Sequence, residues 1–308
     1  MENAEHTKID IFQDVRQSDS WGKYLTSIGF KTIRTSSGVL MVIKKLWFFS
    51  LIKIQKPSLL TKENLDEIED IAKKEKYFLI KLEPFVGQDE NLLTQAGYST
   101  STTPLSVPST MVIDLTKDEK YLWDKISHSG KYSIRRAERE GVQVRYYENP
   151  TEEAFKNFYD VFAETAKKQK FYKLPYKEAL SRSKSFGRKS HLVMAYDKDG
   201  TLASGKLFLG NNGVVLYSLG GTTEAGRKTK IGYELLWKSI LYLKGLGYSA
   251  LDLEGIDDKR FKFFTSGWGG FSYFKEKFGG IIVRFPYPYV KFSNKILANL
   301  NKITPMPM

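Results

Sequence analysis

The sequence predicts an α/β (α+β) protein made of two copies of one plan, each a mixed twisted sheet flanked by helices. Three observations carry that reading. Strand-period and helix-period segments alternate twice in the same order, and a seam rich in Ser, Thr and Pro over Ser99–Pro108 divides the two runs. Two joints, Lys198-Asp199-Gly200 and Asn211-Asn212-Gly213, carry the Asp-Gly and Asn-Gly pattern of tight hairpins.

In the first copy, residues 38–56 read as the two strands of a hairpin. Thr61 then caps an amphipathic helix running to Lys76, with Leu65, Ile68 and Ile71 on one face. Tyr77 to Leu82 alternates as a strand, and a short helix over Glu90–Gln95 stops at Gly97. Beyond the seam, Met111–Leu115 is a strand, and helices follow at Asp118–Ser127 and near Gly130–Glu140, the second closed by Gly141. Strand Val142–Tyr147 leads to a longer helix from Thr151, whose apolar face carries Phe155, Phe158 and Phe162. Strands His191–Tyr196, Leu202–Leu209 and Gly213–Leu219 come next. A turn at Gly220-Gly221-Thr222-Thr223, a helical pattern ending near Gly247 and a strand over Ala250–Ile256 complete the copy. The expected domains are 1–106 with 287–308, and 107–286; Ile281–Tyr289 and the Pro-rich tail return to the first, gathering Phe285, Tyr287 and Tyr289.

Composition narrows the chemistry. The 308 residues include no cysteine, which excludes disulfides, thiolate catalysis and Cys-ligated metals. The three histidines, His6, His128 and His191, match no metal or triad spacing. Net charge is +13, and between Lys167 and Lys189 nine cations face Glu178 alone, interleaved with Phe171, Tyr172, Tyr176 and Phe186. Such a field attracts polyanions, although a solvated basic face explains the run equally well. A second basic stretch is Lys131, Arg135, Arg136 and Arg139. The chain's start lacks a charged-then-apolar leader layout, so a cytoplasmic protein is expected. The apolar, basic segment 46–56 is too short to span a bilayer; core packing is its first reading and peripheral contact with a membrane surface its second.

Acyl-CoA enzymes cradle pyrophosphate on amide N–H groups where a helix begins. The corresponding loop here, Glu224 to Tyr233, places Thr229 and Glu234 beside Gly232, and neither suits that cradle. The loop speaks against acetyl-CoA and leaves the fold intact.

Several short patterns then occur in one order: Gln17-Ser18-x-x-Trp21-Gly22, Ile134-Arg135-Arg136-Ala137 through Gly141-Val142, Gly220-Gly221-Thr222-Thr223 with Arg227 and Tyr233, Asp252-Leu253-Glu254-Gly255-Ile256, and Phe274-Lys275-x-x-Phe278-Gly279-Gly280. Together they span most of the chain, which resembles the FemABX family of non-ribosomal peptidyltransferases in its compact form, without a coiled-coil arm. The resemblance implies tandem GNAT-like domains. It also implies transfer of an amino acid from aminoacyl-tRNA to the stem peptide of a peptidoglycan precursor, UDP-MurNAc-pentapeptide or lipid II, by a monomer using no metal and no organic cofactor.

It further implies that Lys275 steadies the oxyanion that develops during transfer, the alternative being an ordinary surface lysine. Phe274, Lys173 and Tyr176, with Lys168 as a helper, are the implied substrate-binding residues. Leu25, Leu174 and Leu219 stand where the family pattern has a basic residue, an arginine and a tyrosine. Tyr217 is two residues before Leu219 on the same strand face and either substitutes for that tyrosine or packs in the core. Arg227 meets tRNA phosphate or is simply solvated. Asp252 and Glu254 alternate with Leu251 and Leu253 and face the cleft, as structural acids before general bases. The alternatives are a GNAT-fold N-acyltransferase with another acyl donor, and a non-enzymatic RNA-binding module.

Overall fold

The computed structural model describes residues 13–294. The readings of His6, of the chain's start and of the tail beyond Asn294 lie outside the described residues.

A 3-10 turn at Val15–Gln17 opens the described chain, followed by α1 (Asp19–Ser27), β1 (Lys31–Arg34), β2 (Leu40–Leu46) and β3 (Phe49–Gln55). Then come α2 (Lys62–Lys74), β4 (Tyr77–Glu83), α3 (Glu90–Gln95) and β5 (Ser99–Thr100). The second run is β6 (Ser109–Asp114), α4 (Glu119–Lys125), α5 (His128–Arg139), β7 (Gln143–Glu148), α6 (Glu152–Gln169), α7 (Tyr176–Phe186), β8 (Ser190–Tyr196), β9 (Leu202–Asn211) and β10 (Val214–Thr222). It ends with α8 (Glu224–Lys228), α9 (Ile231–Gly245), β11 (Ala250–Gly255), α10 (Gly269–Glu276), β12 (Ile281–Arg284) and β13 (Tyr289–Phe292).

Two mixed sheets result, ordered β1-β2-β3-β4-β13-β5 and β12-β6-β11-β10-β9-β8-β7. Each has one parallel pair, β3 with β4 and β10 with β11, the signature of a helical crossover between them. The chain crosses back after β12, so β13 pairs with β4 through Tyr289↔Leu82 and Val290↔Lys81.

Local chemistry explains most boundaries. Thr61 and Asn64 form a reciprocal capping box on α2, and Asp89, Thr151 and Thr223 accept amide bonds at the starts of α3, α6 and α8. Asn212 and Gly213 both take positive φ, turning β9 into β10. The segment 99–108 is a pinned connection: the amides of Leu105 and Ser106 donate to Glu83 Oε1 at 2.6 and 2.8 Å.

Apolar faces then stack in layers. Phe155, Phe158 and Phe162 of α6 are buried with Leu207 and Leu209 of β9, Phe186 of α7 and Trp21 of α1. The opposite face of that sheet packs Leu235, Leu236 and Ile240 of α9 on Val215 and Leu251. In the first sheet, Ile43, Ile52 and Ile80 lie under Leu65 and Ile68 of α2.

One expectation changes. Gly220 and Gly221 are not a turn; they lie in β10, paired with Lys206 and Gly205 of β9, and the chain turns only at Thr223. Gly221 is there because a Cβ would sit 2.7 Å from the Phe162 Cα, so α6 lies directly on the strand backbone. The basic stretch after Lys173 is a helix, α7, and the N-terminal signature belongs to α1; both pack on the second sheet through Trp21, Ala179 and Phe186.

Candidate functional site

The site begins at an irregularity in β11. Its pairing with β6 slips between Asp252 and Gly255, and Glu254 takes a left-handed backbone at φ 64°. A non-glycine residue held there costs on the order of 1–3 kcal/mol, so its surroundings must hold it. Asp252 Oδ1 accepts the Glu254 amide at 2.7 Å and the Thr110 hydroxyl, and that hydroxyl also reaches the Glu254 carbonyl at 3.0 Å. Thus turned, the Glu254 carboxylate pairs with Arg16 from the N-terminal 3-10 turn.

Arg16 extends the cluster. Its Nη1 lies 3.0 Å from both Asp14 oxygens. Lys56, at the end of β3 and only 1% exposed, stands 3.9 Å from Asp14, donates to the Val107 carbonyl at 3.0 Å and lies 3.7 Å from the Phe285 ring centroid. Three separate stretches of chain therefore bury an alternating set of charges where the two sheets meet. Burial opposes the charge of Arg16, but Asp14 and Glu254 more than offset it and hold the guanidinium protonated. Burial and then the neighbouring Arg16 lower the Lys56 pKa. Burial raises that of Asp252, with the charge of Glu254 adding to it.

Two lysines adjoin this cluster. Lys275 of α10 is 7% exposed; its Nζ donates to the Gly255 carbonyl at 2.7 Å and lies 4.7 Å from the Phe271 ring and 5.9 Å from the Tyr217 ring. Phe274 and Phe278, one turn apart, clasp Tyr233 of α9 with centroids at 4.8 and 6.1 Å, which fixes the helix rotation that points Lys275 inward. Lys206 of β9 is 3% exposed and donates to the Tyr217 hydroxyl at 3.1 Å, 5.2 Å from the Phe274 ring. A bulge in β10 between Tyr217 and Leu219 swings that hydroxyl over Gly220, where a Cβ would meet it at 1.9 Å.

The two ammonium groups differ in their surroundings. Burial lowers Lys275 to about 8, with Glu254 and Asp252 pulling the other way. Burial lowers Lys206 further, to about 7, with no carboxylate to oppose it. Near neutral pH Lys275 is mainly an ammonium, while Lys206 is divided between ammonium and free amine beside the same tyrosine. A cation for a developing negative charge and a base for a proton are thereby in one cluster of side chains.

The sequence-derived set divides accordingly. Lys275, Tyr217 and Phe274 come together. Lys168 and Arg227 meet elsewhere, at the end of β10: Lys168 pairs with Glu164 and Glu224 at 2.9 and 3.4 Å, and Arg227 donates to the Thr222 carbonyl at 2.9 Å. Lys173 is exposed, and Tyr176 packs edge-on against Tyr159 at 5.1 Å. Leu25, Leu174 and Leu219 all join the apolar cluster under α1, α6 and α7. Asp252 is buried, while Glu254 is partly exposed. Among the described residues no three or more potential metal ligands gather.

Sequence reasoning missed Asp14, Arg16, Lys56 and Lys206. The pointer to Lys206 was present as the one charge inside the apolar stretch Leu202–Leu209. Nothing in the order of residues links Arg16 with Glu254.

Two sheets with these crossovers and flanking helices constitute a tandem GNAT-like fold. A tandem GNAT protein from the clavulanic acid biosynthesis pathway shares it at a TM-score of 0.51 and 12% identity, over 84% of this chain and 81% of that one. A model of the FemAB family matches residues 48–196, and the resemblance to FemABX proteins read from the motifs therefore holds. A crystal structure of FemX superposes at a TM-score of 0.79 with 14% identity, covering 94% of both chains. L-PGS from Bacillus licheniformis does so at 0.63 with 16% identity, covering 90% of both. No curated protein matches by sequence. The family match covers residues 48–196, and the superposed structures share the fold.

Proposed function

We propose that this protein is an aminoacyltransferase that moves an aminoacyl group from aminoacyl-tRNA to the stem-peptide amine of a peptidoglycan precursor, UDP-MurNAc-pentapeptide or lipid II, in building the cell-wall interpeptide bridge. The observation that carries it is the placement of Lys275 and Lys206 beside Tyr217, in a chain that matches the FemAB family model over residues 48–196.

The donor ester is already activated, so the acceptor amine attacks its carbonyl carbon directly. As the C–N bond forms, negative charge collects on the carbonyl oxygen and the Lys275 ammonium offsets it. Lys206, as the free amine, takes a proton from the attacking nitrogen. The C–O bond to the ribose breaks, and that proton passes to the departing oxygen, restoring Lys206. Holding donor and acceptor together lowers the barrier by about 7–11 kcal/mol, and the ammonium by about 3–4 kcal/mol more. The exposed Lys168 and Lys173 and the half-buried Arg227 attract phosphate, which acts on encounter and not on bond making.

Incubation with radiolabelled aminoacyl-tRNA and either muropeptide acceptor tests the reading. Labelled peptide is the expected product. Its absence across a complete set of aminoacyl-tRNAs, with both acceptors present, overturns the reading; acetyl-CoA consumption in its place assigns the fold to another acyl donor.

A further inference from the structure

The β2–β3 hairpin ends in a way its sequence did not announce. Leu46 pairs with Phe49, so the connection is the two-residue loop Trp47-Phe48. Loops of this length favour Asn-Gly, because the first position needs positive φ. Here Trp47 occupies it at φ 38°, with its ring edge-on to that of Phe48, centroids 6.4 Å apart. Trp47 is 95% and Phe48 86% exposed, and Phe49 behind them is partly exposed. Ile52 and Ile54 of the same hairpin are fully buried, so core packing accounts for its base and not for its tip.

The tip stands in a basic collar. Lys44 and Lys45 precede it on β2, Lys31 lies across the ladder from Ile43, Lys53 lies across from Val42, and Lys76 receives the Ser50 amide on its carbonyl. One acid, Glu75, answers these five, pairing with Lys31 and, at 3.8 Å, with Lys45.

We propose that Trp47 and Phe48 insert into the interfacial layer of an anionic phospholipid bilayer, with the lysine collar resting on its headgroups. The charge selects an anionic surface. The shape selects a fluid one: an exposed pair of rings at a hairpin tip seats readily among acyl chains, where Trp favours the boundary between hydrocarbon and water. This surface is separate from the lysine pair and does not depend on the transfer reaction.

Co-sedimentation of the full chain with vesicles decides the matter. Binding to phosphatidylcholine vesicles containing about 30% phosphatidylglycerol is expected to exceed binding to phosphatidylcholine alone by about tenfold and to weaken in about 0.5 M salt. Trp47→Ser with Phe48→Ser is expected to lower binding to the anionic vesicles about tenfold. Trp47→Phe is expected to retain binding while losing the fluorescence quenching that brominated acyl chains impose on the wild type. Equal binding by the double variant and the wild type overturns the proposal, because charge alone then suffices. A wild type that ignores vesicles but forms a dimer abolished in the double variant also overturns it, assigning the tip to a second copy of this chain.

Discussion

Two regions of this molecule are rich in cations, and they are built in opposite ways. Along α7 and the segment before it, Lys173 and Lys177 project into water and Lys184 meets Glu152 at 2.7 Å with both side chains largely solvated. Where the sheets meet, Arg16, Lys56, Lys206 and Lys275 are buried, and each is held by a carbonyl, a carboxylate, a ring or a hydroxyl. Solvated cations attract at long range and are screened by salt, with exposed pairs contributing only about 0–1 kcal/mol. Buried ones hold a fixed geometry and have altered proton affinities. The first arrangement suits encounter, the second chemistry.

Substitutions sharpen that contrast in order of size. Asp14→Ala removes the partner of a buried guanidinium and is expected to lower unfolding free energy by about 3–5 kcal/mol, read from the denaturant midpoint at constant slope. A loss below 1 kcal/mol would place Asp14 with the surface ions. Lys275→Met is expected to lower kcat about 10²–10³-fold with KM within a few-fold, since the ammonium acts as charge develops. Lys206→Gln is expected to lower kcat about 10²-fold. It should also abolish the rise in rate through about pH 7, where the wild-type amine loses its proton, while leaving the fall through about pH 8 that follows Lys275. Lys173→Ala combined with Lys184→Ala is expected to raise the KM for aminoacyl-tRNA only about threefold, at low salt, with kcat unchanged. A larger loss of kcat there than in Lys206→Gln would reverse the assignment of the two regions.

Much of the fold was legible because local chemistry decides it. Thr61, Asp118 and Thr151 begin helices, Gly97 and Gly141 take positive φ where helices end, and Asn212-Gly213 closes a hairpin. The stretch that forms α7 is read from sequence by its charge alone, because its apolar positions Ala179 and Phe186 sit among many cations. Gly220-Gly221 resembles a turn by composition, yet its glycines serve the close approach of Tyr217 and α6 to a strand. Of the site, Lys275 was legible through its place in a recognisable motif. Lys206 was visible only as a lone charge in an apolar strand, and Arg16 meets Glu254 across 238 positions that no local pattern connects.

The coexistence of an ammonium and a free amine beside Tyr217 is open to direct observation by NMR titration of the chain labelled with carbon-13 at lysine Cε, using Lys206→Met and Lys275→Met to assign the two resonances. The account predicts midpoints near 7 for Lys206 and near 8 for Lys275, well below the ordinary lysine value of 10.5. Two resonances that stay protonated through about pH 9.5 would contradict it, because both lysines would then be cations and neither could accept the proton.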